Sequence, residues 1–97
     1  GGCACGSVEF EFSGEPVRTV LCQCSSCRRI TGTAYSTNVQ VLTSEVRFHG
    51  ELKQFRADSS EGPNFTISFC GTCSSTLWKE SDEEGWKGYR WIQAGTL

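Results

Sequence analysis

Methionine is absent from this 97-residue chain, and histidine occurs only once. Because a newly translated protein begins with methionine, we expect these residues to be part of a longer protein. The chain also lacks any apolar run of about 18 residues, the length that a membrane-spanning helix needs, and it has no signal-peptide pattern. We therefore expect no membrane partner.

An excess of positive charge is also missing, since nine lysines and arginines face eleven acidic residues, giving a net charge of −2. A protein that binds nucleic acid needs a basic surface, so we expect no nucleic-acid partner. Hydrophobic residues make up only 37% of the chain, which predicts a modest core. We expect residues 1–97 to form a single domain whose stability depends partly on bound metal.

Cysteine, in contrast, is abundant. The seven cysteines form a C-x-C at 3–5, a C-x-C-x-x-C at 22–27 and a C-x-x-C at 70–73. In an extended segment residues i and i+2 project from the same side, so each C-x-C directs two sulfur atoms to one point. That spacing suits zinc, and C-x-x-C is a common zinc half-site. A disulfide framework is the alternative, but the odd count leaves one thiol unpaired and nothing indicates secretion.

The number of sulfur ligands suggests two different zinc sites. A structural zinc takes four protein ligands, whereas a reactive zinc takes three and keeps one position open. We assign to the structural zinc the four-cysteine cluster Cys3, Cys5, Cys70 and Cys73, and to a catalytic zinc the three-cysteine cluster Cys22, Cys24 and Cys27. Two other interpretations stay open: a single zinc with three spare thiols, and a second structural zinc closed by water or His49. Reduced, metal-binding thiols favour a cytoplasmic location.

Short alternating segments predict an all-β, β-dominated fold of short antiparallel strands with one short helix. The helix is predicted over Ser25–Thr31, with Ser25 as its cap and Gly32 at its end. A hairpin around Gly50 is predicted to join two of the strands, 46–48 and 52–55, and a loop is predicted over 58–64. The other predicted strands are 7–12, 17–21, 34–42, 64–69, 76–79 and 89–94, with the metal sites at strand ends.

The combined motifs resemble one family, the glutathione-dependent formaldehyde-activating enzymes and the related domain of centromere protein V. The resemblance covers essentially the whole chain and rests on four segments: Gly-Gly-Cys-Ala-Cys-Gly, Cys-Gln-Cys-Ser-Ser-Cys-Arg-Arg-Ile-Thr-Gly, Phe-Cys-Gly-Thr-Cys-Ser-Ser-Thr-Leu and Ala-Gly-Thr-Leu. Two positions depart from the family pattern. Gln23 replaces the usual histidine between paired cysteines, and Ser74 replaces the usual glycine after Cys73, where a positive φ would strain a serine.

The resemblance implies a zinc-bound β-tent fold with the same two ligand sets. It also implies a carbon–sulfur lyase that uses two zinc ions per chain and glutathione as co-substrate, and whose other substrate is a small aldehyde such as formaldehyde. A thiol coordinated at the open position of the catalytic zinc would be presented as thiolate and add to the aldehyde. No protein nucleophile beyond the zinc ligands is needed.

The residues beside the three-cysteine cluster supply one candidate substrate contact. Arg28 follows Cys27 on the predicted helix and could receive a carboxylate of a glutathione-like ligand. Solvation of Arg28 on the helix surface is the alternative. For the whole chain, the alternative to an enzyme is a non-catalytic, zinc-stabilised module that binds glutathione or a protein partner. A fourth protein ligand at the three-cysteine cluster would favour that module.

Overall fold

Eight antiparallel strands and one α-helix make up the part of the chain, residues 1–58 and 62–97, that the computed structural model describes. The expected β-dominated fold with a single short helix is therefore confirmed. The predicted loop over 58–64 lies partly outside the described residues. The strands are β1 (Glu9–Phe12), β2 (Arg18–Cys22), β3 (Ser36–Leu42), β4 (Val46–His49), β5 (Leu52–Ala57), β6 (Phe65–Cys70), β7 (Thr76–Glu80) and β8 (Tyr89–Gln93), and the helix is α1 (Ser25–Thr31).

The strands form a six-stranded sheet in the order β2-β3-β8-β7-β6-β5 and a two-stranded sheet of β1 and β4. Phe10 of β1 and Phe48 of β4 join the two sheets by packing edge-on against Trp78, with ring centroids 5.7 Å and 5.3 Å away. Trp78 is buried, together with Leu77 and Ile92 of the central strands. The main core therefore lies between the small sheet and the central strands of the large one.

The predicted hairpin around Gly50 is wrong. β4 pairs with β1, and β5 pairs with β6, so the chain passes from one sheet to the other at Gly50. Gly50 has a φ of +110°, and a Cβ placed there would come within 2.3 Å of the Ser7 carbonyl oxygen. The glycine is needed because the backbone approaches the N-terminal segment closely, which local turn chemistry alone does not reveal.

Helix α1 has the predicted bounds, but its N-cap is Cys24 and not Ser25. The Cys24 sulfur accepts the backbone N–H of Cys27 at 3.4 Å, which satisfies one of the free donors of the first turn. Gly32 ends the helix as predicted, in the left-handed region with a φ of 69°. A residue that is predicted to bind metal thus also caps the helix, which couples the local fold to the candidate site.

A second apolar cluster lies around β6, where the predicted inward-facing alternation is confirmed for Phe65 and Ile67. Ile30 of α1 packs against this cluster, while Phe69 is only partly buried beside it. The helix is therefore anchored to the large sheet near the last residue of β2 and the first residues of β6. Within residues 1–58 and 62–97, no helix is long and apolar enough to cross a membrane.

Candidate metal centres

The four-cysteine cluster joins the N-terminal C-x-C to the turn after β6. The four sulfur atoms of Cys3, Cys5, Cys70 and Cys73 all lie within 4.8 Å of one another. The Cys3 and Cys5 sulfurs are 3.6 Å apart, and those of Cys5 and Cys70 are 3.8 Å apart. All four thiols are free of disulfide bonds. The fold thus brings together the four cysteines that the sequence analysis assigned to one site.

Hydrogen-bond donors surround the sulfur atoms of this cluster. The backbone N–H of Val8 donates to Cys3 at 3.2 Å, and that of Thr72 donates to Cys70 at 3.3 Å. The Ser7 hydroxyl lies 3.3 Å from the Cys70 sulfur, and this contact, helped by backbone N–H groups, lowers the pKa of Cys70 to about 7. Such donors stabilise thiolates, the form in which cysteine binds a metal.

The Ser75 hydroxyl connects both halves of the cluster. It lies 3.1 Å from the Cys73 sulfur and accepts the backbone N–H of Ala4 at 3.0 Å. This hydroxyl and the backbone N–H of Ser75 lower the pKa of Cys73 to about 5. One side chain therefore favours the Cys73 thiolate and holds the N-terminal segment beside it.

Ser74 adopts the strained conformation that the sequence suggested. Its φ is 68°, the one positive value at a non-glycine position in the described part of the chain. Its backbone N–H donates to the Cys70 carbonyl at 2.9 Å and closes the turn that carries the cysteines. The turn requires this backbone geometry whichever side chain occupies the position.

We expect Ser74→Gly to raise the free energy of unfolding by about 0.5–1 kcal/mol. Relief of the left-handed conformation gains about 1–2 kcal/mol, and the added freedom of the unfolded chain costs about 0.5–1 kcal/mol. Urea unfolding of metal-loaded protein measures the change. Thr72→Gly is the matched control, because Thr72 in the same turn has no positive φ, and it should be destabilising. An equal loss of stability in both variants would contradict the strain at Ser74.

The three-cysteine cluster lies where β2 meets α1. Cys22 ends β2, Cys24 caps the helix and Cys27 lies in its first turn, and their sulfur atoms are within 4.8 Å of one another. No other cysteine, histidine or carboxylate from residues 1–58 and 62–97 belongs to this group. The end of β2 and the first turn of α1 therefore bring three sulfur donors together. The described residues supply no fourth metal ligand to this group.

A cavity of about 140 Å³ adjoins the three sulfur atoms. Its wall is completed mainly by apolar side chains from other parts of the fold: Gly62, Pro63, Phe65, Lys79 and Trp86. Trp86 stacks on the buried Trp91 with ring centroids 4.3 Å apart, which fixes its position. The cavity is large enough for a few non-hydrogen atoms beside the cluster.

Lys79 is a residue of this site that the sequence did not reveal. Its side chain is only 4% exposed, and its ammonium donates to the Cys27 sulfur at 3.0 Å. Burial raises the pKa of Cys27, but the hydrogen bonds with Lys79, Ser36 and Cys22, together with the Lys79 charge, lower it more, so the net shift is downward. Burial also raises the pKa of Cys22 to about 11. The available signal was weak: Lys79 lies two positions after Leu77, so both side chains project from the same side of β7, which is Thr-Leu-Trp-Lys-Glu.

The other predicted residues lie away from the cavity wall. Arg28 is exposed on α1 and does not line the cavity, so its role toward a substrate carboxylate stays a prediction. His49 is exposed, with its Nε2 3.5 Å from a Glu9 carboxylate oxygen, and belongs to neither cysteine cluster. Trp78 and Trp91 are core residues, with 1% and 4% exposure.

The fold and the two clusters define a small cysteine-rich β protein with two sites that could hold metal ions. The whole chain, residues 1–97, matches the family described as glutathione-dependent formaldehyde-activating enzyme. The protein belongs to this family, which confirms the resemblance read from its motifs. A comparison with curated proteins found no significant match.

Proposed function

We propose that both cysteine clusters bind zinc, two ions per chain, with a structural role at the four-cysteine cluster and a catalytic role at the three-cysteine cluster. Zinc–sulfur bonds of about 2.3 Å at tetrahedral angles place sulfur atoms about 3.8 Å apart. The separations of 3.6 Å and 3.8 Å in the four-cysteine cluster fit this value. Thiolate donors with N–H hydrogen bonds also fit the preference of zinc over harder cations.

Residues 1–97 would act as one domain. The four-cysteine cluster holds the N-terminal segment against the turn after β6. The backbone N–H of Gly2 donates to the Thr96 carbonyl at 2.9 Å, which connects both ends of the chain. These contacts support a unit in which the first and last residues depend on each other.

The proposed reaction joins a thiol such as glutathione to an aldehyde such as formaldehyde, and also runs in reverse as a carbon–sulfur lyase. Membership of the family of glutathione-dependent formaldehyde-activating enzymes supports these substrates. The observation that carries the proposal is the cavity beside three sulfur donors with no fourth ligand from the described residues. The reaction would take place in the cytoplasm, where glutathione keeps thiols reduced.

Zinc bound there would supply an open coordination position that holds the thiol as thiolate, the nucleophilic form. The protein positions the site through the Cys24 cap and the hydrogen bond from Lys79 to Cys27. Phe65 and Trp86 supply apolar surface to the cavity wall beside the three sulfur atoms. A cavity of about 140 Å³ holds the sulfur end of the adduct, so most of the tripeptide must lie outside it.

Two-dimensional exchange NMR on mixtures of glutathione and formaldehyde tests the activity. We expect catalytic amounts of zinc-loaded protein to increase the exchange rate between free formaldehyde and S-hydroxymethylglutathione well above the uncatalysed rate. The metal content is measured on the same sample and should be two zinc ions per chain. Unchanged exchange with two bound zinc ions would exclude this reaction, and glutathione binding without exchange would favour the non-catalytic module.

A further inference from the structure

The Lys79 ammonium is buried beside the three-cysteine cluster without a carboxylate partner among residues 1–58 and 62–97. Lysine is almost never fully buried unless it is paired, because its charge is costly to remove from water. Its ammonium contacts the Cys27 sulfur at 3.0 Å and the Phe65 ring, whose centroid is 5.1 Å away, and its charge also acts on Cys22. Lys79 therefore depends on the cluster for its counter-charge.

The ammonium also has hydrogen-bonding capacity to spare. It carries three N–H donors, and the described residues supply one acceptor, the Cys27 sulfur. Lys79 lines the cavity that the three cysteines face. The remaining donors are thus available to a ligand that enters this cavity, and a negatively charged ligand would benefit most.

The net charge of the three-cysteine cluster indicates which kind of ligand would bind in this cavity. Three thiolates and a divalent cation carry a net charge of −1, and Lys79 brings the total to zero. When a thiolate enters, the net charge of the site becomes −1, whereas without Lys79 it would become −2. We propose that Lys79 is a substrate-binding residue that selects an anionic thiolate over neutral ligands at the three-cysteine cluster. This inference rests on the proposed zinc site and names the charge state of its substrate.

A purely structural role for Lys79 makes a different prediction. If the ammonium served only to neutralise Cys27, its removal would affect metal retention or folding and would weaken every added ligand alike. Substrate binding by Lys79 predicts a selective loss for anions. At a separation of about 5 Å, one unit charge changes anion affinity by about 15-fold at an effective dielectric constant of about 40 and by about 250-fold at one of about 20.

Cobalt(II)-substituted protein gives a readout that does not depend on turnover. Thiolate coordination adds sulfur-to-cobalt charge-transfer absorption, so titrations with glutathione and with neutral imidazole report both affinities. We expect Lys79→Met and Lys79→Gln to bind two metal ions per chain and to weaken glutathione binding about 15- to 250-fold. Imidazole binding should change less than about threefold. Lys87→Met is the matched control, because that side chain is 66% exposed.

The outcomes separate this inference from the proposed reaction. Equal weakening of glutathione and imidazole, loss of the second metal ion, or loss of the far-UV circular dichroism spectrum in both Lys79 variants would overturn the inference. Lys79-dependent thiol binding in a protein that does not accelerate exchange would support the inference and reject the reaction. Catalysed exchange with unchanged glutathione affinity in the variants would support the reaction and reject the inference.

Discussion

Cys70→Ser is expected to leave the protein largely unfolded at 25 °C. Cys70 is 1% exposed, ends β6 within the main core and accepts N–H groups from the turn that follows. Structural zinc contributes about 10–16 kcal/mol of apparent binding energy in small zinc domains. The whole stability of a small domain is only about 5–15 kcal/mol. If the proposed structural zinc is lost together with one thiolate of the four-cysteine cluster, a contribution as large as the total stability is removed.

Far-UV and near-UV circular dichroism, with zinc content per chain, measure this effect. Removal of metal from the unchanged protein by a chelator should also unfold it. The four sulfur atoms come together only in the folded protein, so the metal stabilises the folded state. Cys22→Ser is the matched control, since it makes the same substitution in the other cluster and should leave a folded protein with one zinc. A Cys70→Ser protein that keeps its near-UV spectrum and two zinc ions would contradict the structural role.

Local sequence patterns were sufficient for several parts of the fold. The alternation in β1 and β6 reports which side chains face inward, because side-chain direction in a strand has a period of two. The end of α1 at Gly32 follows from the left-handed conformation that glycine adopts most easily. Local spacing brings sulfur atoms together within each cysteine motif, and the division into a cluster of four and a cluster of three was predicted from the number of ligands that structural and reactive zinc sites take.

The remaining features depend on contacts between distant segments. Gly50 looks like a hairpin glycine, but its conformation is set by the approach of Ser7, 43 positions earlier in the chain. Lys79 is 52 positions from Cys27, so its hydrogen bond leaves no trace in local spacing. The Cys24 cap was missed because serine is a common cap and thiols are rarely considered for that position.

The cap at Cys24 makes a sharp test of the proposed catalytic role of the three-cysteine cluster possible. Cys24→Ser replaces the sulfur with a hydroxyl, and serine is among the preferred N-cap residues. The helix should therefore stay intact, because the hydroxyl can accept the Cys27 N–H that the sulfur accepts now. The three-cysteine cluster, however, loses one of its three thiolates. We expect zinc content to fall from two to one per chain and catalysed exchange to fall by more than about 100-fold.

Exchange NMR and zinc analysis on the same samples check this result, with far-UV circular dichroism to confirm the fold. Gln23→Ser is the matched control, because Gln23 is exposed between the two cysteines and supplies no ligand. Cys27→Ser is less informative, since it also removes the buried partner of Lys79. A folded Cys24→Ser protein that has one zinc and full activity would assign catalysis elsewhere. A folded Cys24→Ser protein that has one zinc and no activity would distinguish the roles of the two clusters. The four-cysteine cluster would then maintain the fold, and the three-cysteine cluster would perform the chemistry.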